Sequence, residues 1–143
     1  MTAINQTQNE IIQEFESFGD WMDKYNYLIE ISKDLPLINP KFKNNEYMIN
    51  GCQSKVWLNA EFEDGKIKYT ADSDAIITKG LITLLIRVLS GRKPEEIMNA
   101  DLYFIDKIGL RENLSPTRSN GLLAMVKQMK LYAIAYNAKQ KAN

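Results

Sequence analysis

Val56 to Tyr69 reads VWLNAEFEDGKIKY, and this stretch decides the fold class. Val56, Leu58, Ala60 and Phe62 alternate with Trp57, Asn59, Glu61 and Glu63, the period-2 pattern of a strand with one buried face. Asp64-Gly65 follows. A type I′ turn needs positive φ at both central residues, and Asp-Gly is among the few pairs that accept it. A two-residue turn here sets the register: Glu63 faces Lys66, Phe62 faces Ile67, Glu61 faces Lys68 and Ala60 faces Tyr69. Two opposite-charge pairs then share the solvent face, while Phe62, Ile67, Ala60 and Tyr69 share the buried one. A slip of one residue would bury the charges, so turn and pattern agree on one pairing. Just upstream, Tyr47 and Ile49 alternate with Met48 and Asn50, which predicts one more strand and a three-stranded antiparallel meander.

Helical patterns flank this centre. Thr7 and Glu10 have capping-box spacing, and Ile11, Phe15 and Phe18 follow on one helical face. Gly19 breaks that pattern, and Asp20 is placed to cap a second helix with the stripe Trp21, Tyr25, Leu28 and Ile29. Pro36, Asn39 and Pro40 mark a loop. After the strands, Asp72-Ser73-Asp74 is read as the cap of a long apolar helix from about Ala75 to Ser90, stopped by Gly91. Pro94, with Glu95 and Glu96, opens a short helix, and Asp101 begins another short piece that ends near Gly109. Ser115-Pro116 reads as cap and first residue of the last helix, whose stripe is Leu122, Met125, Val126, Met129, Tyr132 and Tyr136. Without internal repeat or linker, residues 1–143 are expected to form one α+β domain.

Composition excludes more function classes than any motif selects. The 143 residues hold one cysteine and no histidine. No internal disulfide can form, four-ligand Cys/His zinc sites are out, and so is every Cys-His or Ser-His catalytic pair. Lys+Arg and Asp+Glu are both 18, so the net charge is zero, against a nucleic-acid binder, which needs cations to displace counterions from phosphates. No basic leader precedes an apolar run, and Ile76 to Leu89 is interrupted by Thr78, Lys79, Gly80, Thr83 and Arg87. The expectation is no membrane span and a reducing cytoplasm, which a lone cysteine fits. From Thr2 to Asp23 the charges are all acidic, and from Asn113 onward all basic. Two solvated helix faces, or a basic partner surface, fit that gradient.

Two residues offer chemistry. Cys52 lies in Gly51-Cys52-Gln53-Ser54, a loop between strands. It is either a half-buried inert thiol or a functional one. Without histidine, a lone thiol can be a nucleophile, hold a covalent sulfur adduct or pair with another protein's thiol. Arg118 falls at the third position of the last helix, where a cation meets the positive end of the helix dipole. That placement suits an anion to bind; it suits equally a side chain that swings out to solvent or pairs with an acid. Gly121 nearby permits close backbone packing.

These residues carry a family pattern. WMDKYNYLIEISKDLP (21–36), INGCQSKVWL (49–58), ADSDAIITKGL (71–81), Ser90-Gly91 before Pro94-Glu95-Glu96-Ile97, and LSPTRSNGLLAM (114–125) together resemble the SufE-type sulfur-acceptor family of cysteine desulfuration. Lys93 departs from the pattern, where a better cap such as Thr is expected. The resemblance implies an α+β fold shared with NifU/IscU-like scaffolds. It also implies a role: a pyridoxal-phosphate cysteine desulfurase of the SufS type holds sulfur as a persulfide, and Cys52 accepts it. The chain is then an accessory protein without a cofactor or metal of its own. It stimulates the desulfurase and passes sulfur to an iron–sulfur scaffold complex. Arg118 would steady the Cys52 loop or the sulfur anion. Gly51 would supply hinge freedom, and Gln53, Ser54 and Asp74 are matched positions without individual roles. The loop is expected to rest on apolar surface when free and swing out for its partner. Monomer and homodimer are both open. The alternative is an interaction module with an incidental cysteine.

Overall fold

The computed structural model describes residues 1–142. Helices α1 (Ala3–Glu16) and α2 (Trp21–Ile31) precede strands β1 (Val56–Glu63) and β2 (Lys66–Ser73). Then come α3 (Ile76–Leu89), the short α4 (Pro94–Met98), α5 (Phe104–Lys107) and α6 (Leu110–Asn113), and the long α7 (Pro116–Ala142). The fold is α+β, as expected. No helix among the described residues is long and apolar enough to cross a membrane.

The hairpin forms in the expected register, from Glu63↔Lys66 through Ala60↔Tyr69 to Val56↔Ser73. Asp64 and Gly65 take φ of 53° and 78°, the two positive values a type I′ turn requires. Two details differ. The ion pair on the solvent face runs diagonally, Lys68 to Glu63 at 3.8 Å, and is exposed enough to contribute little. Phe62 lies beyond the core and is 37% exposed; its ring stacks on Tyr136 of α7 at 5.5 Å.

The sheet has two strands, not three. The Tyr47–Asn50 segment makes a single antiparallel bridge, Met48 to Trp57, with Ile49 N–H donating to Val56 O and Leu58 N–H to Tyr47 O. The next ladder bond would run from Tyr47 N–H to Leu58 O. Tyr47 N–H instead closes a turn on Asn44 O at 3.1 Å, and Leu58 O accepts from the Tyr132 hydroxyl at 3.1 Å. Tyr136 likewise donates to Ala60 O at 2.8 Å. The last helix thus satisfies the edge that a third strand would have paired.

The helix starts show how local signals compete. Thr2, not Thr7, caps α1, its side chain accepting from Asn5 N–H. Thr7 lies inside the helix and accepts from Arg92 at 3.0 Å, while Glu10 lies 3.7 Å from Arg87. Asp20 caps α2 as expected. Asp72-Ser73-Asp74 does not cap α3 in the usual way. Ala75 holds the cap position without a side-chain bond, Ser73 belongs to β2, and Asp72 pairs with Lys43 and Lys79. The Asp101 piece narrows to α5 before Gly109, and α6 after that glycine is a helix the sequence reading does not assign. Ser115 accepts from Arg118 N–H at 3.3 Å and Pro116 opens α7, as the sequence implies.

Helix α3 is the centre of the core. Most of its side chains are buried, which explains why it reads as apolar almost throughout rather than as a stripe. Each fully buried Leu or Ile contributes about 1.5–3 kcal/mol. Leu28, Leu58, Ile67, Tyr69, Leu122 and Met129 close around it from the neighbouring elements. Thr78 and Leu81 near its N-terminal end line a cleft that the start of α7 shares.

Candidate functional site

The Cys52 loop is closed at its base by the Ile49 N–H to Val56 O bond of 2.8 Å. Gly51 turns into it at φ +95°, a conformation that only glycine adopts without strain. The far end is held by the β2–α3 connection. Asp74 Oδ1 accepts from Lys55 N–H at 3.0 Å, Asp74 N–H donates back to Lys55 O at 3.2 Å, and the Ser73 hydroxyl donates to the same carbonyl at 2.8 Å. Ser54 and Thr78 share a hydrogen bond at 3.1 Å, which ties the loop to α3. Asp74 and Ser54, which sequence reading left without roles, therefore anchor one side of the loop.

The cysteine itself rests on α7. Its thiol donates to Gly121 O at 3.6 Å, a weak bond from a weak donor. A Cβ built at Gly121 would lie 3.6 Å from Cys52 Sγ, ordinary contact distance, so the helix backbone meets the sulfur directly. A cleft of about 290 Å³ opens beside the thiol. Cys52, Gln53 and Ser54 line it from the loop, Asp74 from the β2–α3 connection, and Thr117 and Arg118 from the first turn of α7. Three stretches far apart in sequence thus meet here. Gly51 stands outside the lining.

Arg118 is exposed and does not rest on the sulfur. Its Nη1 donates to the Tyr25 hydroxyl at 3.3 Å, and its guanidinium carbon lies 5.9 Å from that ring's centre. Tyr25, Thr78 and Thr117 are the site residues sequence reasoning passed over. Tyr25 hid within a helical stripe. Thr78 is one of several polar residues in α3, and only its burial and its bond to Ser54 in the folded chain mark it.

Burial pushes the Cys52 thiol above its ordinary pKa. The docked sulfur is therefore the neutral thiol at physiological pH, a poor nucleophile and a protected one. A folded pKa raised above the unfolded one favours the docked loop below the ordinary thiol pKa, and that advantage is lost as pH rises through the raised value. Alkylation of Cys52 by iodoacetamide is expected to show a pH midpoint above the ordinary thiol range, returning to that range in denaturant. A native midpoint at or below it would mean that the thiol is not held in the cleft.

Known proteins resemble the chain along most of its length. The SufE family model, described as an Fe-S metabolism associated domain, matches residues 9–133. SufE-like protein 1, chloroplastic/mitochondrial, of Arabidopsis thaliana is 40% identical over 91% of this chain, which spans only 35% of that longer protein. An uncharacterised SufE-like protein of Rhizobium meliloti is 36% identical, covering 91% of this chain and 94% of its own. Another from Synechocystis is 37% identical over 92% of this chain and 82% of its own. The solution structure of a hypothetical protein from Thermus thermophilus shares the fold, with a TM-score of 0.74 at 22% identity over 90% of this chain and 94% of that one.

Proposed function

The chain belongs to the SufE family, and we propose that within it Cys52 is the acceptor of sulfur from a cysteine desulfurase. Family membership places the chain in iron–sulfur metabolism. The observation that carries the finer reading is the setting of the only cysteine. It is half-buried at a cleft, weakly held at the sulfur and strongly anchored on one side of its loop. Such a loop can release the thiol without unfolding the strands that bear it.

The chemistry is a thiol exchange and needs no outside oxidant. A pyridoxal-phosphate desulfurase converts cysteine to alanine and keeps the sulfur as a persulfide on its own cysteine; the cofactor belongs to that partner. Cys52 swings out of the cleft, loses its proton to solvent and attacks the terminal sulfur. One sulfur–sulfur bond forms and one breaks, the donor leaves as a thiolate, and Cys52 carries the persulfide. Relieving the donor lets it turn over, so the chain is an accessory protein that stimulates its partner. A return of the loop would shelter the persulfide from oxidation before an iron–sulfur scaffold takes the sulfur. A reducing compartment such as the cytoplasm suits this chemistry.

Intact mass spectrometry after mixing the chain with an active SufS-type desulfurase and cysteine tests the reading. A gain of one sulfur atom, reversed by reductant, is expected; no gain from an active desulfurase would overturn it. Among the described residues, Arg118 is the one cation that lines the cleft and can meet a sulfur anion. Arg118→Ala is expected to slow the gain about tenfold, the size of one charge-assisted hydrogen bond. An unchanged rate would remove Arg118 from the mechanism.

A further inference from the structure

We propose, on the premise that Cys52 accepts sulfur, that Tyr25 of α2 is a positioning residue of the sulfur site and acts by holding Arg118. Arg87 is paired with Glu14 and Glu10, Arg111 with Asp106, and Arg92 bonds to Thr7 and to Val88 O. Among the described residues, Arg118 has no carboxylate within ion-pair distance and one side-chain partner, the Tyr25 hydroxyl at 3.3 Å. A guanidinium has five N–H donors, so most remain for an incoming group.

The kind of partner matters. A carboxylate in the same place would hold Arg118 and cancel its charge. A phenol fixes the guanidinium by one hydrogen bond and leaves the charge unpaired. The contact with the ring, at 5.9 Å to the carbon of the guanidinium, lies at the outer limit of cation–π range, so the hydroxyl does most of the holding. Tyr25 packs against the core cluster, which fixes where that hydroxyl stands. Arg118 occupies the first turn of α7, where the helix dipole disfavours a cation by a few tenths of a kcal/mol or more and favours an anion by a similar amount. A cation kept there without an acid is placed for a transient anion. Asp74 lines the same cleft and accepts from Lys55 N–H through Oδ1, and among the described residues it makes no ion pair with Arg118. The anion that arises in this cleft is the thiolate or persulfide of Cys52.

The test separates a positioning role from packing. Tyr25→Phe keeps the ring and removes only the hydroxyl. The rate of one-sulfur gain by Cys52 is measured by intact mass in a single turnover, for wild type, Tyr25→Phe, Arg118→Ala and the double variant. We expect Tyr25→Phe to be about fivefold slower with its thermal midpoint unchanged, and to have no further effect in the Arg118→Ala background. A Phe variant as fast as wild type, or two losses that multiply, would overturn the proposal and leave Tyr25 as packing. No sulfur gain even by wild type, with an active desulfurase, would instead overturn the acceptor function on which it rests.

Discussion

Cys52→Ser is expected to abolish sulfur acceptance completely while leaving the fold in place. Every step proposed for the chain runs through one sulfur atom, and the sequence holds no second cysteine to replace it. Serine is close in size, and the bond to Gly121 O that it gives up is a weak one at 3.6 Å. The loop's other anchors, from Asp74, Ser73 and Thr78, do not involve residue 52. Stability should therefore change by no more than about 1 kcal/mol. Mass spectrometry with an active desulfurase should show no gain, and stimulation of the desulfurase should vanish. Retained binding to the desulfurase would show that docking and acceptance are separate properties of the site. Undiminished stimulation by the serine variant would instead identify an interaction module with an incidental thiol.

The largest effect on stability is expected from Gly80→Ala. By helix propensity alone this change should help by about 1 kcal/mol, since glycine is a poor residue inside a helix. Packing reverses the sign. Helix α3 presses against α2 at this point, and a Cβ on Gly80 would run into the carbonyl oxygen of Leu28, with Leu28 C at 2.9 Å and Leu28 Cβ at 3.2 Å. Two of those atoms are backbone and cannot rotate away. The helices must separate, at a cost of about 3 kcal/mol or more. For a chain of this size the melting temperature should fall by about 10 °C. Gly19→Ala is the control, because a Cβ there meets nothing within 4 Å. The separation should also disturb the site, since α2 carries Tyr25 and α3 carries Thr78. Equal melting temperatures for the two variants would show that α2 and α3 do not approach as described.

The parts of this fold legible in the sequence are those whose causes are local. Asp64-Gly65 and the alternation on each side of it specify turn, register and buried face together, and the hairpin follows residue for residue. Asp20 and Ser115 cap their helices because the capping oxygen and the N–H it receives lie within one turn of chain. Expectations failed where a local pattern had a distant competitor. Thr7 and Glu10 have the spacing of a cap, but the helix had already begun at Ala3 and its sides meet Arg92 and Arg87. Tyr47–Asn50 alternates like a strand, yet a hydroxyl from α7 occupies the Leu58 carbonyl it would have bonded next, and another occupies Ala60 O further along the same edge.

The same division runs through the site. The order of residues is enough to show that one thiol is available, that no histidine can activate it, and that it lies in a loop beginning with glycine. Matched motifs add which residues stand near the chemistry. Only the folded chain brings Cys52, Asp74 and Arg118 to one cleft, half-buries the thiol against Gly121, and gives Arg118 the hydroxyl of Tyr25. The difference is one of range. Turn geometry and side-chain period act between neighbours and are written in the order of residues. Burial of a thiol and the partner of a guanidinium depend on which helix arrives from elsewhere, and that is settled only when the core closes.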